Sequence, residues 1–363
     1  MPAVSTVERA LVPVDAVRGA LLRRVGASRH LRVWLASRDR RTAVLLAAAV
    51  VAATVLATVA PVVVYLLSPI VLGLPHVASD VRHLVLRAGL SRRLTVGLFA
   101  WCAALVALQL ATLLGATFTA GGRTELALAG AGVLAATVAA RRSRGRTIAL
   151  VAIFALLFAL AWRDPLRARL VFCHAHNPLA LVLWLALFRR RRGGLGVLWL
   201  PLALLAAATV LVLHGDTFAW IVAAGARQRL GVDLLAIADQ IAPDLGAFGV
   251  SLTIAFVLWQ SIHYSIWLHV VPSEAAGTRS FRQSWRALVA DFGPVALVAL
   301  AAGMLALAAF AAASLTRTRD LYLSLAGFHA YLELAALGAL WGISAPAANP
   351  GSACAPGGRR CSR

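Results

Sequence analysis

The chain has 363 residues, 61% of them hydrophobic and only 13% charged, with a mean hydropathy of +0.83. Soluble domains run about 45–50% apolar and about 25% charged, so these values exclude a soluble globular fold and predict a polytopic integral membrane protein. The formal charge is +21 and all 35 basic residues are arginine. Those arginines lie in short clusters between apolar runs, which is the pattern of membrane loops and not of a nucleic-acid groove.

Residues 1–42 form a mixed basic segment with nine arginines between Arg9 and Arg41, unlike the short basic start and apolar core of a cleavable signal. A crossing helix needs about 20 apolar residues. Runs of that kind lie at roughly 43–60, 62–83, 94–117, 124–140, 147–162, 171–188, 195–214, 246–270, 289–313 and 321–341. The expected fold is therefore an all-α transmembrane bundle over 43–341 with eight to ten crossings. The range comes from 43–73, one unbroken apolar run in which only Pro61 and the Ser68-Pro69 pair offer a break. It forms either two crossings or one tilted helix followed by a re-entrant piece carrying Pro75 and His76.

Ten crossings with the N-terminus inside put most arginine clusters on the internal side, so both ends are expected in the cytoplasm. Abundant alanine with no lysine suggests a GC-rich coding bias, hence a bacterial inner membrane. Residues 215–245 carry apolar residues at helical spacing among Arg, Asp and Gln, and predict an interfacial helix in contact with lipid. Residues 342–363 read as a flexible Gly/Pro/Arg tail. Cys102 and Cys173 lie in apolar runs, Cys354 and Cys361 in the tail, and no CxxC pair exists to suggest a zinc site.

Ionisable groups inside a membrane are costly and mostly functional. Eight of the nine histidines fall in or at the ends of apolar segments. In "GLPHVASDVRH", His76, Asp80 and His83 share one helical face. "CHAHNP" brings His174, His176 and Asn177, and its two imidazoles point about 200° apart on a helix. "LHGDTF" carries His214 and Asp216. "LWQSIHYSIWLHVVP" carries Gln260, His263, Tyr264 and His269, with Trp259, His263 and Trp267 at i+4 intervals. "GFHAYLELA" places His329 and Glu333 one turn apart. A lone histidine in such a segment packs more often than it ligates, but five segments each supplying one suggest a shared metal site. Imidazole with carboxylate suits iron, and also zinc or copper. Depth in the bundle favours His76, His263 and His329 with His214 as ligands, and His174 in reserve.

Several of these fragments resemble the Brp/Blh family of membrane dioxygenases that cleave β-carotene to retinal. "GLPHVASD" is similar to that family's G-[IL]-P-H-G-x-x-D motif, and "FVLWQSIHY" to its W-H-S-x-R-H segment through Trp259, Ser261 and His263. "LHGD" and "GFHAYLE" are looser matches. Val77, Gln260 and Ile262 depart from the family's Gly, His and Arg, and Tyr264 or His174 could stand in for the missing imidazole. The resemblance implies an Fe(II)- and dioxygen-dependent oxygenase acting on a lipophilic substrate drawn from the bilayer. It further implies that Asp80, Asp216, Gln260, Tyr264 and Glu333 support the ligands, and that Trp259, Trp267 and Phe328 grip a polyene. A transition-metal permease and a haem-binding membrane protein are the alternatives.

Overall fold

The computed structural model describes residues 2–29, 32, 37–115, 122–140, 144–189, 195–214, 233–276 and 280–341, and no strand occurs among them. Helix α1 spans Pro2–Ala27, α2 Arg38–Val59, α3 Pro61–Asp80, α4 Arg92–Leu113, α5 Arg123–Ala139, α6 Arg144–Arg163 and α7 Pro165–Leu183. Then follow α8 (Trp199–His214), α9 (Leu234–Ile241), α10 (Gly246–Ser265), α11 (Phe281–Ala313), α12 (Leu315–Ala326) and α13 (Phe328–Leu340). Short polar signals punctuate the apolar runs. Ser37, Ser91, Asp164, Ser280 and Ser314 cap the helices that follow them, each accepting from an otherwise orphaned amide of the first turn. In the 43–73 run the break falls at Ala60 (φ −143°, ψ 51°) with Pro61 at the first position of α3. Proline pushes its predecessor out of the helical region yet suits a helix start, so the run forms two helices and Pro69 and Pro75 lie inside α3.

Among the described residues, eight helical segments are long and apolar enough to cross a membrane, the lower end of the expected range. The expected spans 124–140 and 195–214 form α5 and α8, of 17 and 16 residues, short of the usual crossing length. Only the last part of the expected interfacial segment is described. There α9 buries Leu234, Ile237, Ala238 and Ile241 against α10. The basic head is also structured: α1 rests on the start of α11, where Asp15 accepts from the amides of Phe281 (2.7 Å) and Arg282 (3.3 Å). Glu8 pairs with Arg286 through two bonds of 3.0 and 2.7 Å, and that hydrogen bonding holds the Glu8 carboxyl below its ordinary value.

The centre of the bundle is α10, whose span is 72% buried, whereas those of α6 and α11 are 6% buried and form the periphery. Helix α10 packs on α2, α3, α7, α8 and α9, while α13 packs on α3, α4, α5 and α7. The helices α3, α7 and α10 each run into a π-helical turn, at Val81–Leu86, Trp184–Arg189 and Ile266–Val270. Such a turn inserts a residue and rotates the face that follows by about 100°.

Helix α3 approaches α12 closely because Gly73 has no side chain; a Cβ there would fall on the buried Tyr322 ring. Gly73→Val should lower stability by about 1–3 kcal/mol through overpacking. Gly97→Ala, which faces open space, should not. Thermal unfolding of both variants in detergent checks the pair.

Candidate metal centre

Four imidazoles from four helices meet at one buried point: His76 of α3, His176 of α7, His263 of α10 and His329 of α13. Their ring centres form a closed circuit, with His76–His263 at 5.2 Å, His263–His176 at 4.5 Å, His176–His329 at 4.7 Å and His329–His76 at 4.7 Å. Across it, His263 and His329 lie 6.1 Å apart. A metal–nitrogen bond of about 2.1 Å plus about 1.1 Å to the ring centre puts facing imidazoles about 6.4 Å apart, and two nitrogens at right angles on one ion about 3.0 Å apart. The Nε2 atoms of His176 and His329 are 2.9 Å apart.

The outer nitrogens set the polarity of the rings. His329 Nδ1 bonds the Ala326 carbonyl, so its proton sits on Nδ1 and the Nε2 lone pair faces inward. His176 Nδ1 lies 3.2 Å from Glu333 Oε2, off the hydrogen-bonding line, and this acceptor favours the same tautomer. With the His329 lone pair inward, the 2.9 Å contact is a hydrogen bond donated by His176 Nε2–H, or two lone pairs that a cation between them would satisfy. Glu333 itself is fixed by the Trp267 indole, which donates to Oε1 at 2.7 Å, and Oε1 also lies 3.8 Å from His263 Nε2. The π-turn of α10 contains Trp267, and Ser79 of α3 donates to the Trp267 carbonyl at 2.5 Å. Asp80 Oδ2 lies 4.0 Å from His76 Nε2.

Both nitrogens of His76 and of His263, and both oxygens of Asp80, are buried without a hydrogen-bond partner. Each such group costs about 1–3 kcal/mol when left unsatisfied, and more where it is charged. One potential ligand atom from each of His76, Asp80, His263 and His329 falls within a 4.8 Å set, and a second such set joins His176, His263 and Glu333. A divalent cation in either set would neutralise that set's carboxylate and satisfy its imidazole lone pairs.

Of the expected ligands, His76, His263 and His329 come together, with Asp80 and Glu333 beside them. His214 does not join them: it is exposed at the end of α8, its Nδ1 3.0 Å from the Val210 carbonyl. His174 also turns away, with Nε2 2.8 Å from the Ile241 carbonyl and its ring on Phe256. The helical offset inside "HAH" admits only one of the pair, and His176 is the one that enters. The buried positions Ala180, Leu183 and Leu187 lie four, seven and eleven residues beyond His176, so the apolar stripe of α7 held the signal. Asp216 lies outside the described residues. Gln260 donates to the Tyr264 hydroxyl at 3.2 Å, and the Tyr264 ring packs 4.6 Å from that of His76. Trp267 is fully buried as the Glu333 clamp, and half-buried Trp259 and Phe328 pack against the core. His83 and His269 stand apart from the cluster, His83 buried against Phe188 and His269 exposed.

The histidines line a chamber of about 190 Å³ that also touches Glu125, Arg169, Phe172 and Tyr331. Two cavities adjoin it. One, of about 480 Å³, is almost wholly apolar, is built by α5, α6, α7 and α13, and shares Arg169, Phe172 and Tyr331 with the chamber. The other, of about 240 Å³, is polar, with Gln109, Asp320 and Ser324, and shares Glu125 and Arg169. At the junction Tyr331 donates to Glu125 at 3.0 Å and Arg169 sits 3.8 Å from the same carboxylate. Phe172 stacks on Tyr331 with centroids 5.1 Å apart. None of Glu125, Arg169, Phe172 and Tyr331 stood out in the sequence. Comparison with protein-family models, curated proteins and solved structures returns no match for this chain.

Elemental analysis of detergent-purified protein should find a bound transition metal that falls to about a tenth or less in His263→Ala and His329→Ala. His214→Ala and His174→Ala should retain it. Trp267→Phe, which frees Glu333, should weaken metal affinity about 10–100-fold.

Proposed function

We propose that the chain is a membrane-embedded, non-haem iron oxygenase that uses dioxygen on a lipophilic, carotenoid-like substrate. The observation that carries this reading is two buried ligand sets that share His263, one with His76, Asp80 and His329 and one with His176 and Glu333, close to an apolar cavity of about 480 Å³. Iron(II) held by imidazoles with an open position would supply dioxygen activation. The residues do the rest. Glu333, clamped by Trp267, orients His176, and Ala326 fixes the His329 tautomer. Phe172 and Tyr331 form the wall where an apolar chain would pass from cavity to chamber. In the cleavage, one carbon–carbon double bond and one dioxygen are consumed and two carbonyl products form.

The carotenoid assignment rests on the resemblance to the Brp/Blh enzymes, whose similar segments supply His76, His263 and His329. Gln260 replaces that family's second histidine, and His176 is the fourth imidazole that takes its place. A haem reading fits the geometry poorly, because axial imidazoles must stand on opposite faces of a macrocycle. Here two Nε2 atoms are 2.9 Å apart in a chamber of about 190 Å³.

We place the protein in a bacterial inner membrane with both termini in the cytoplasm. The arginines at 141–146 and 189–192 join the basic head on one side when the short helices α5 and α8 also cross, which restores ten crossings and satisfies the positive-inside rule.

The test is to incubate iron-loaded protein with β-carotene in detergent and follow oxygen uptake and retinal. Stoichiometric uptake and product are expected from the wild type, with loss of about 100-fold or more in His263→Ala. Leu157→Trp, which narrows the apolar cavity, should raise KM while sparing bound metal. Metal flux into vesicles without product would establish the permease instead, and a Soret band the haem protein.

A further inference from the structure

A further cavity, of about 640 Å³, shares no residue with the histidine chamber and lies between α3 with its π-turn, the segment after α10 that carries Leu268, Pro272 and Ser273, and α11. Helices α3 and α11 run antiparallel along it. Asp291 of α11 pairs with Arg82 (2.5 Å) and Arg87 (2.8 Å) beyond the C-terminal end of α3, whereas Gly303 lies against Leu74 further back. Polarity is therefore graded along the cavity. Arg82, His83, Arg87, Ser273, Ser284 and Trp285 line one end, and Leu297, Leu300, Ala301 and Met304 line the other.

The polar end is built for a ligand. His83 is 4% exposed, and among the described residues its Nε2 and the Trp285 Nε1, on two side chains of the lining, are buried without a hydrogen-bond partner. Two guanidinium groups face one carboxylate there, which leaves a net charge of about +1 with neutral histidine. Midway along α11, Gly293 takes φ 76° and ψ 162° ahead of Pro294, so the outer wall is bent opposite the cavity. At about 30 Å³ per water-sized group, the space holds about twenty heavy atoms, enough for a headgroup and the upper part of an acyl chain. The rest of the chain would continue along the lipid-facing side of α11.

We infer that this cavity binds one acidic glycerophospholipid, its phosphodiester held by Arg82, Arg87, His83 and Trp285 and its acyl chain by the apolar half. A phosphate monoanion matches the net charge, and a small rotation of the His83 and Trp285 side chains would bring their unpartnered nitrogens to its oxygens. The apolar half distinguishes a lipid from free phosphate. This site is independent of the metal reading.

Native mass spectrometry of the full chain in detergent, with phosphatidylglycerol or phosphatidylcholine added, tests it. The wild type should retain one phosphatidylglycerol per chain and prefer it by about tenfold or more. Arg87→Gln, which leaves the Arg82–Asp291 pair, and Ala301→Trp, which fills the apolar end, should each lose that retention. Both should keep wild-type bound metal and thermal unfolding, which separates loss of the site from loss of the fold. Equal retention of the two lipids, or undiminished phosphatidylglycerol in Ala301→Trp, overturns the proposal. So does inorganic phosphate that displaces the lipid and binds Ala301→Trp as it binds the wild type, because that marks a free-anion site.

Discussion

Asp80 and Glu333 are fully buried carboxylates inside a bundle whose outer surface is lipid. A charge in that position is tolerated only with a partner of opposite sign or with enough hydrogen bonds to replace water. Glu333 receives the Trp267 indole and lies close to His176 and His263, whereas among the described residues neither carboxylate oxygen of Asp80 has a hydrogen bond. Arg319 is occupied elsewhere, stacked over Tyr65 and bonded to Asp320, and Arg169, which lines the chamber, lies 3.8 Å from Glu125. A cation held by the imidazoles would supply the counter-charge from the centre itself. This electrostatic requirement explains why the chain keeps six polar side chains where leucine would cost nothing.

The fold meets that requirement with rigid parts. Each ring stands on a different helix, so its position depends on how four helices pack. Helix α10, the most enclosed, has neighbours on several sides and cannot rotate freely. The π-turn after His263 brings Trp267 round to Glu333, where an unbroken α-helix would carry it past. Ala326 anchors His329 from the turn that joins α12 to α13. Support of this kind holds ligands to a fraction of an ångström, which is the tolerance that metal binding demands.

Much of this was legible in the sequence. Apolar runs gave the helices, and Pro61 stood among the candidate breaks, because these signals are local. The pairs His76/Asp80 and His329/Glu333 were readable for the same reason, since i,i+4 spacing fixes a shared face. What failed was azimuth and depth between helices. His174 and His176 differ by two residues, and only the packing of α7 decides which enters. His214 reads as a ligand from composition, yet it ends a helix of 16 residues and lies beyond the reach of the centre. The Arg169–Glu125–Tyr331 junction joins residues from three helices far apart in the chain, and no local pattern announces such a meeting.

That junction also bears on how one chamber could serve two kinds of molecule. An apolar chain and small polar species make opposite demands on a path, because each is excluded by surroundings that suit the other. The two adjoining cavities are segregated accordingly. The larger is lined by leucine and phenylalanine, the smaller by Gln109, Asp320 and Ser324. They meet at Arg169, where Tyr331 offers its ring face to the apolar side and its hydroxyl to Glu125 on the polar side. Arg169 thus borders both cavities, and Tyr331 lines the apolar one while reaching the polar one through Glu125. A substitution that keeps the ring but removes the hydroxyl would release Glu125 on the polar side while leaving the apolar wall intact, so the two sides are separable in principle at a single atom.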